Sequence, residues 1–489
     1  MSGPENVLII GGGPAGLTAA VELCRRNVPV TVLEKDKLVG GIARTESYKG
    51  YHFDIGGHRF FTKIGEVEKF WKDILGPDFI TRPRISRIFY EGKFFDYPLK
   101  AFNALANLGI VTSIEVVLSY LQSQLVPYPR EDTFEEWVSN RFGKKLYNIF
   151  FKTYTEKVWG IPCSEIRAEW AAQRIKGLNL PVAVWNAIFG PVGGKGAIKT
   201  LIEQFEYPRL GPGMMWAKAA EVVTARGHAV LMETDAVKLK HANGRVTEVI
   251  AQNHTGTHAQ RLTGAHVISS MPIAELIEKL DPPPPPEVLA AARGLAYRDF
   301  LTVVLIVKQA HLFHDNWIYI HSPEVRVGRI QNFKNWSPEM VPDPGMTSLG
   351  LEYFCTEGDD LWRMTDGDLI ELGKHEMAQI GLVRAKDVVD GTVVRQLKAY
   401  PVYNATYAGY LQTIKDYLAT FSNLQTVGRN GLHKYNNQDH SMLTAMLAVR
   451  NVLGEVHDLW DVNTERSYHE EIRVPLHDAL SADEAGSES

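Results

Sequence analysis

At 489 residues, with 45% hydrophobic and 22% charged side chains, the chain has ordinary globular composition and length for two or three domains with substantial cores. Its net charge of −5, with no basic cluster interleaved with aromatics, gives no electrostatic case for nucleic acid. The three cysteines, Cys24, Cys163 and Cys355, stand far apart with no CxxC pair, which argues against a zinc site or dithiol couple and predicts a reducing, cytoplasmic setting.

The chain runs almost at once into Val7-Leu8-Ile9-Ile10, which leaves no room for a signal peptide and predicts a first strand. Gly11-Gly12-Gly13-Pro14-Ala15-Gly16 follows, and a second apolar run, Val30 to Leu33, ends on Glu34. Strand, glycine turn, helix, strand and acid form the layout of a dinucleotide-binding βαβ unit. Gly11 permits the tight turn, Gly13 lets the backbone approach a diphosphate, and Gly16 lets helix and strand pack closely. The helix opening at Pro14 and Ala15 turns its N–H groups toward the phosphates. Glu34 accepts ribose hydroxyls, beside Lys35. Next come Gly41-Ile42-Ala43-Arg44, where Arg44 offers a planar cation for a diphosphate, and Gly56-Gly57-His58. This succession is similar to the N-terminal pattern of FAD enzymes of the amine-oxidase and glutathione-reductase type, so FAD is expected, with Gly56, Gly57 and His58 facing its ring.

From about Lys100 to Pro191 the pattern is helix-rich. Ala101 to Leu121 carries too many polar residues for a membrane span, and a helix of a substrate domain is preferred over an amphipathic helix on a membrane surface. Short strands are expected at Gly227–Leu231, Asp235–Leu239 and Ala265–Ser270, and Asp281 to Pro286 reads as a stiff polyproline connector. Runs such as Leu301 to Val307 predict an antiparallel sheet, and Leu424 to Arg429 a strand entering a glycine turn before a last helix. The expected fold is α/β. A discontinuous Rossmann-type FAD-binding domain (1–80, 190–296, 401–472) carries a helical insertion domain (99–189) and an antiparallel β-sheet substrate domain (81–98, 297–400), with a flexible tail (473–489).

The run Tyr154-Thr155-Glu156-Lys157-Val158-Trp159-Gly160 strongly resembles the YTEKxWG signature of the UDP-galactopyranose mutases, within the wider amine oxidase and protoporphyrinogen oxidase superfamily. Ile55 to Thr62, Phe94 to Pro98, Pro191 to Gly194, Gly328-Arg329-Ile330 and Gly428-Arg429 through Tyr435 are similar to further pieces of that family, in the same order. The resemblance implies a nucleotide-sugar mutase that interconverts pyranose and furanose rings through reduced-flavin N5 attack on the anomeric carbon, in service of polysaccharide biosynthesis. NADH or NADPH is implied as reductant, and a homo-oligomer is compatible with the pattern. It further implies catalytic roles for His58, Arg329 and Arg429, with the arginines on the diphosphate and flavin sides, and diphosphate contacts from Tyr400 and Tyr435. Phe150 and Tyr154, four apart on a predicted helix, would clamp a uracil, and Trp159 would lie near the sugar. Arg174 aligns with a family arginine in the substrate loop. Val237, Gly428, Asn437, Ser441 and Met442 complete the cofactor set, Val237 through its backbone at adenine.

Two positions depart from the pattern. Leu178 stands where the mutases carry a diphosphate-gripping arginine, with Lys176 nearby, and Asn437 stands where they carry an aspartate. Met214-Met215-Trp216 and the apolar insertion motivate a rival expectation, an oxidase or desaturase whose greasy channel takes a hydrophobic substrate.

Overall fold

The computed structural model describes residues 6–97, 99, 101–168, 198–201, 203–253, 255–256, 258–463 and 471–474. Val7–Ile10 is buried at every position and lies at the middle of a five-stranded parallel sheet. The spatial order is Ala229–Leu231, Val30–Leu33, Val7–Ile10, His266–Ser269, Leu424–Thr426. Uninterrupted aliphatic runs suit strands covered on both faces. Alternation divides them: Val7 and Ile9 pack with the helices Pro14–Arg25, Gly213–Ala225 and Gln438–Val452, while Leu8 and Ile10 face Ala236, Leu239, Ile273 and Leu276.

A seven-stranded sheet forms the second layer, in the order Val388–Pro401, Tyr297–Val307, Thr347–Cys355, Arg329–Asn332, Trp317–Ile320, Ser86–Tyr90, Lys93–Asp96. Neighbours are antiparallel except Trp317–Ile320 with Ser86–Tyr90, which run parallel. More than two hundred residues of chain separate that pair. A long crossover can return a strand in the same direction, where a hairpin cannot.

Helices Ala101–Leu108, Ile110–Leu125, Phe134–Phe142 and Thr153–Trp159 lie between the two strand-forming regions in sequence. Thr133 and Glu136 close a capping box at the start of the third. Val116 is the one buried residue of Ile110–Leu125, which leaves most of that helix facing outward. Among the described residues no helix is long and apolar enough to cross a membrane.

The segment read as a polyproline connector is held at both ends by regular structure, while Pro282 to Pro285 between them lie in no helix or strand. Leu280–Asp281 joins a four-stranded sheet and Pro286 opens the helix Pro286–Gly294. Proline suits the first helical position because its missing N–H would have no helical acceptor there.

Candidate active site

A cavity of about 830 Å³ opens at the carboxyl ends of Val7–Ile10 and His266–Ser269 and runs on to the seven-stranded sheet and the inserted helices. Ligands of open parallel sheets bind at such strand ends, and the volume is large for a cofactor site.

At one end the wall is built from glycine turns. Gly11 has φ of +101°, and a Cβ there would stand 2.2 Å from Ser270 Oγ. Gly13 and Gly41 face each other, so that a Cβ on Gly41 would come within 3.5 Å of Gly13 Cα. Gly13 is the N-cap of Pro14–Arg25 and no side chain caps that helix. The same holds at Asn437, N-cap of Gln438–Val452, whose amide makes no capping bond. Two helix N-termini therefore meet one cavity, an arrangement that favours anionic oxygens. Glu34 is fixed by N–H donors, Gly12 to Oε2 at 2.6 Å and Asp36 to Oε1 at 2.8 Å. Burial raises its pKa against the pull of those two donors. These features fit FAD: N-termini for the diphosphate, an acid for the ribose, and glycines where a Cβ would fill the space.

Lys35, Ile42, Ala43 and Arg44 line this end, as do Gly428 and Ser441. Arg44 already bonds Glu46 at 2.6 Å, the Gly41 carbonyl at 3.0 Å and Gln396 Oε1 at 2.8 Å. Three assigned cofactor residues stand off the wall. Gly16 packs against its own turn, Met442 accepts from Trp71 Nε1 at 3.0 Å in the core, and Val237 is the extra residue of a β-bulge between Ala236 and Lys238. That bulge hands the wall position to Ala236, with Thr234 and Asp235. Arg174, Lys176, Leu178 and Pro191 to Gly194 lie outside the described residues.

At the other end, Gly56, Gly57 and His58 share the wall with Arg329, Arg429, Tyr400, Tyr435, Phe150, Tyr154 and Trp159. Burial first, then Arg429 and Arg329, push the His58 pKa down to about 3, so the ring is neutral, with Nδ1 3.2 Å from the Gly56 carbonyl. Arg329 donates from Nε to Glu352 at 2.5 Å. Arg429 donates to the Asn436 and Ala399 carbonyls at 2.9 and 3.1 Å and lies over the Tyr435 and Tyr400 rings. Those rings stack on each other at 5.6 Å.

The run Tyr154 to Gly160 divides by task. Tyr154, Thr155, Val158 and Trp159 line the cavity. Glu156 accepts the Cys163 N–H at 3.2 Å, and Lys157 donates to the carbonyls of Ile320, Ser322 and Val327 at 3.3, 2.8 and 3.1 Å. Burial pulls that ammonium down to about 8. Gly160 ends the helix at φ of +68°, where a Cβ would meet the Arg298 guanidinium at 2.5 Å.

Met215 and Trp216, expected in a greasy channel, are fully buried beneath the parallel sheet instead, in the cluster of Pro14–Arg25. The apolar cavity wall comes from Ile88, Leu99, Phe134, Phe151, Phe300 and Phe354.

Sequence reasoning missed His321. Its ring stacks on Tyr154 at 5.0 Å and 5°, with Phe150 edge-on at 6.5 Å, so this chain's own imidazole stands in the aromatic slot expected to grip a base. Phe150 also sits in a π-helical turn, Asn148–Lys152, off the regular helix expected. The available signal was the two-residue alternation of Tyr319 and His321 at a strand end. Burial, then Lys157, lowers the His321 pKa to about 3. The unfolded chain takes a proton near pH 6.5 that the folded chain refuses, so this group's contribution falls as pH drops. In urea unfolding, the wild type is expected to lose about 2 kcal/mol relative to His321→Phe between pH 7 and pH 5.

The fold matches a solved structure described as reduced UDP-galactopyranose mutase, with a TM-score of 0.81 and 21% identity over 95% of this chain and 99% of that one. In sequence the chain is 25% identical over 272 residues to a 1-hydroxycarotenoid 3,4-desaturase of Flavobacterium sp. (strain P99-3). It is also 25% identical over 174 residues to a probable UDP-galactopyranose mutase of Klebsiella pneumoniae. These matches cover 52% and 34% of this chain but only 54% and 43% of the relatives' own lengths. Residues 14–433 match the model of the flavin containing amine oxidoreductases, and the chain belongs to that family.

Proposed function

We propose that this is an FAD-dependent nucleotide-sugar mutase, or a closely related sugar-modifying flavoenzyme, with domain borders as the sequence suggests. The observation that carries the reading is that Arg329 and Arg429, with Tyr400 and Tyr435, line the same cavity as the dinucleotide-binding turn. FAD, held by the glycine turns, Glu34 and the two helix N-termini, supplies a ring that is nucleophilic at N5 once reduced. The Nη groups of Arg329 and the cation of Arg429 hold a sugar diphosphate, both as leaving group and as returning nucleophile. Neutral His58 orients polar groups without adding charge, and the aromatic wall excludes water.

The test is a screen of nucleotide sugars against dithionite-reduced protein, with products resolved by chromatography. Ring-isomerised sugar is expected from reduced protein only. Turnover by strictly oxidised protein counts against the reading. A second reading, an oxidase or desaturase, draws on the apolar wall of Leu99, Phe134 and Phe151. It calls for anaerobic bleaching of the flavin by a hydrophobic substrate, with NADH and NADPH then unnecessary as reductants.

A further inference from the structure

Among the described residues, none covers one aliphatic face of the helix Ile110–Leu125. Ile110, Val111, Ile114, Leu118, Leu121 and Leu125 are 50–83% exposed, at spacings that fall along one side. The helix carries one charge, Glu115, and that is paired with Lys145 at 2.5 Å. At about 24 Å for its 16 residues it is too short to span a bilayer, so its apolar stripe suits a helix lying in the plane of a lipid surface.

The chemistry of the face selects among occupants. Protein interfaces are anchored by Trp, Tyr, Arg and Met, and this stripe has none of them. An acyl-chain boundary asks only for apolar area that needs no hydrogen bonds. Beyond the helix, Tyr128 is 37% exposed and Lys144 59% exposed, with Nζ 3.4 Å from the Tyr128 hydroxyl and 3.6 Å from a Glu135 carboxylate oxygen. Both side chains have an apolar body and a polar tip suited to headgroup depth, and the nearby lysines are balanced by Glu135 and Glu115, which leaves apolar area as the attraction. On the inner side, Val116 shares one apolar cluster with Phe134, Leu99 and Phe151 of the cavity wall.

We propose that this face docks on a lipid surface, with the helix at the boundary between headgroups and acyl chains and the cavity one packing layer above it. The proposal concerns binding and stands apart from the chemistry of the cavity.

The test floats the full-length, flavin-loaded protein with vesicles of phosphatidylcholine, with and without phosphatidylglycerol. Wild type is expected to rise with both, since the attraction is apolar area. The double variant Leu118→Glu/Leu121→Glu should lose about tenfold or more in bound fraction while keeping its flavin spectrum and melting temperature. In a second arm, Leu118→Cys is labelled with an environment-sensitive fluorophore, selectively because Cys24, Cys163 and Cys355 are all buried. The label should react in lipid-free protein and its emission move to the blue on either vesicle. Wild type that stays unbound on both vesicles overturns the proposal. So does an unreactive Leu118→Cys, which would mean that the chain covers its own face. A lipid-free dimer that the double variant splits assigns the face to a second copy and overturns it equally.

Discussion

Replacing Arg329 with alanine is expected to lower stability by about 3–5 kcal/mol and, on the mutase reading, to slow the reduced enzyme roughly 30- to 1000-fold. The stability loss comes from Glu352, which is fully buried and accepts from Arg329 Nε at 2.5 Å and Gln331 Nε2 at 2.8 Å. Burial works against the Arg329 charge, but the Glu352 carboxylate outweighs it and holds the guanidinium pKa high. With the arginine gone, that carboxylate keeps one neutral donor among the described residues, Gln331. The rate loss corresponds to about 2–4 kcal/mol for one charge-assisted contact to a diphosphate in the transition state. The two effects separate in the double variant Arg329→Ala/Glu352→Gln, which removes the stranded charge. Urea unfolding should show most of the stability restored, while product formation by dithionite-reduced protein stays low. A restored rate would reduce Arg329 to a counter-ion of Glu352.

That pairing shows where sequence reading stops. Arg329 is visible as an arginine in a motif, but Glu352 stands directly opposite it on the neighbouring strand, a register that only the assembled sheet defines. The Rossmann unit was legible because its determinants are local: a glycine turn, a helix opening on proline and an acid at a strand end all lie within about thirty residues. Apolar runs carry less direction. Met215 and Trp216 read as lining for a channel, and the stacking of three helices on one sheet face placed them in the core. Only the assembled structure shows that none of the described chain buries Ile114, Leu118 and Leu121. The bulge at Val237, beside Ala236 on the cavity wall, arises from pairing with Arg245–Asn253 and is invisible in the local run. His321 reached Tyr154 through the juxtaposition of a strand end and an inserted helix far apart in sequence.

Two glycines of the first turn should respond to alanine in opposite ways. A Cβ on Gly16 would stand 1.8 Å from the Gly11 carbonyl oxygen and 3.2 Å from Ile9 Cγ2. The first obstacle is backbone, so helix Pro14–Arg25 must move off its strand, and Gly16→Ala is expected to destabilise by about 1–3 kcal/mol or more. The Gly11 turn shifts with it, so flavin content falls as well. Gly13 differs in kind. Its φ of −83° is open to any L residue, and the nearest atom to an added Cβ is 3.8 Å away. Gly13→Ala should leave the flavin-free protein as stable as wild type, or stiffer by about 0.4–1 kcal/mol through the unfolded chain. The new methyl would nevertheless occupy the gap facing Gly41, where the backbone has to approach a diphosphate. Flavin-to-protein ratio after gentle purification, together with urea unfolding of the flavin-free forms, reads the two effects separately. Gly16→Ala should fail in both, and Gly13→Ala in flavin content alone. A Gly13→Ala protein that keeps its full flavin would move the diphosphate away from this turn, and a Gly16→Ala protein of undiminished stability would refute the close packing of helix on strand.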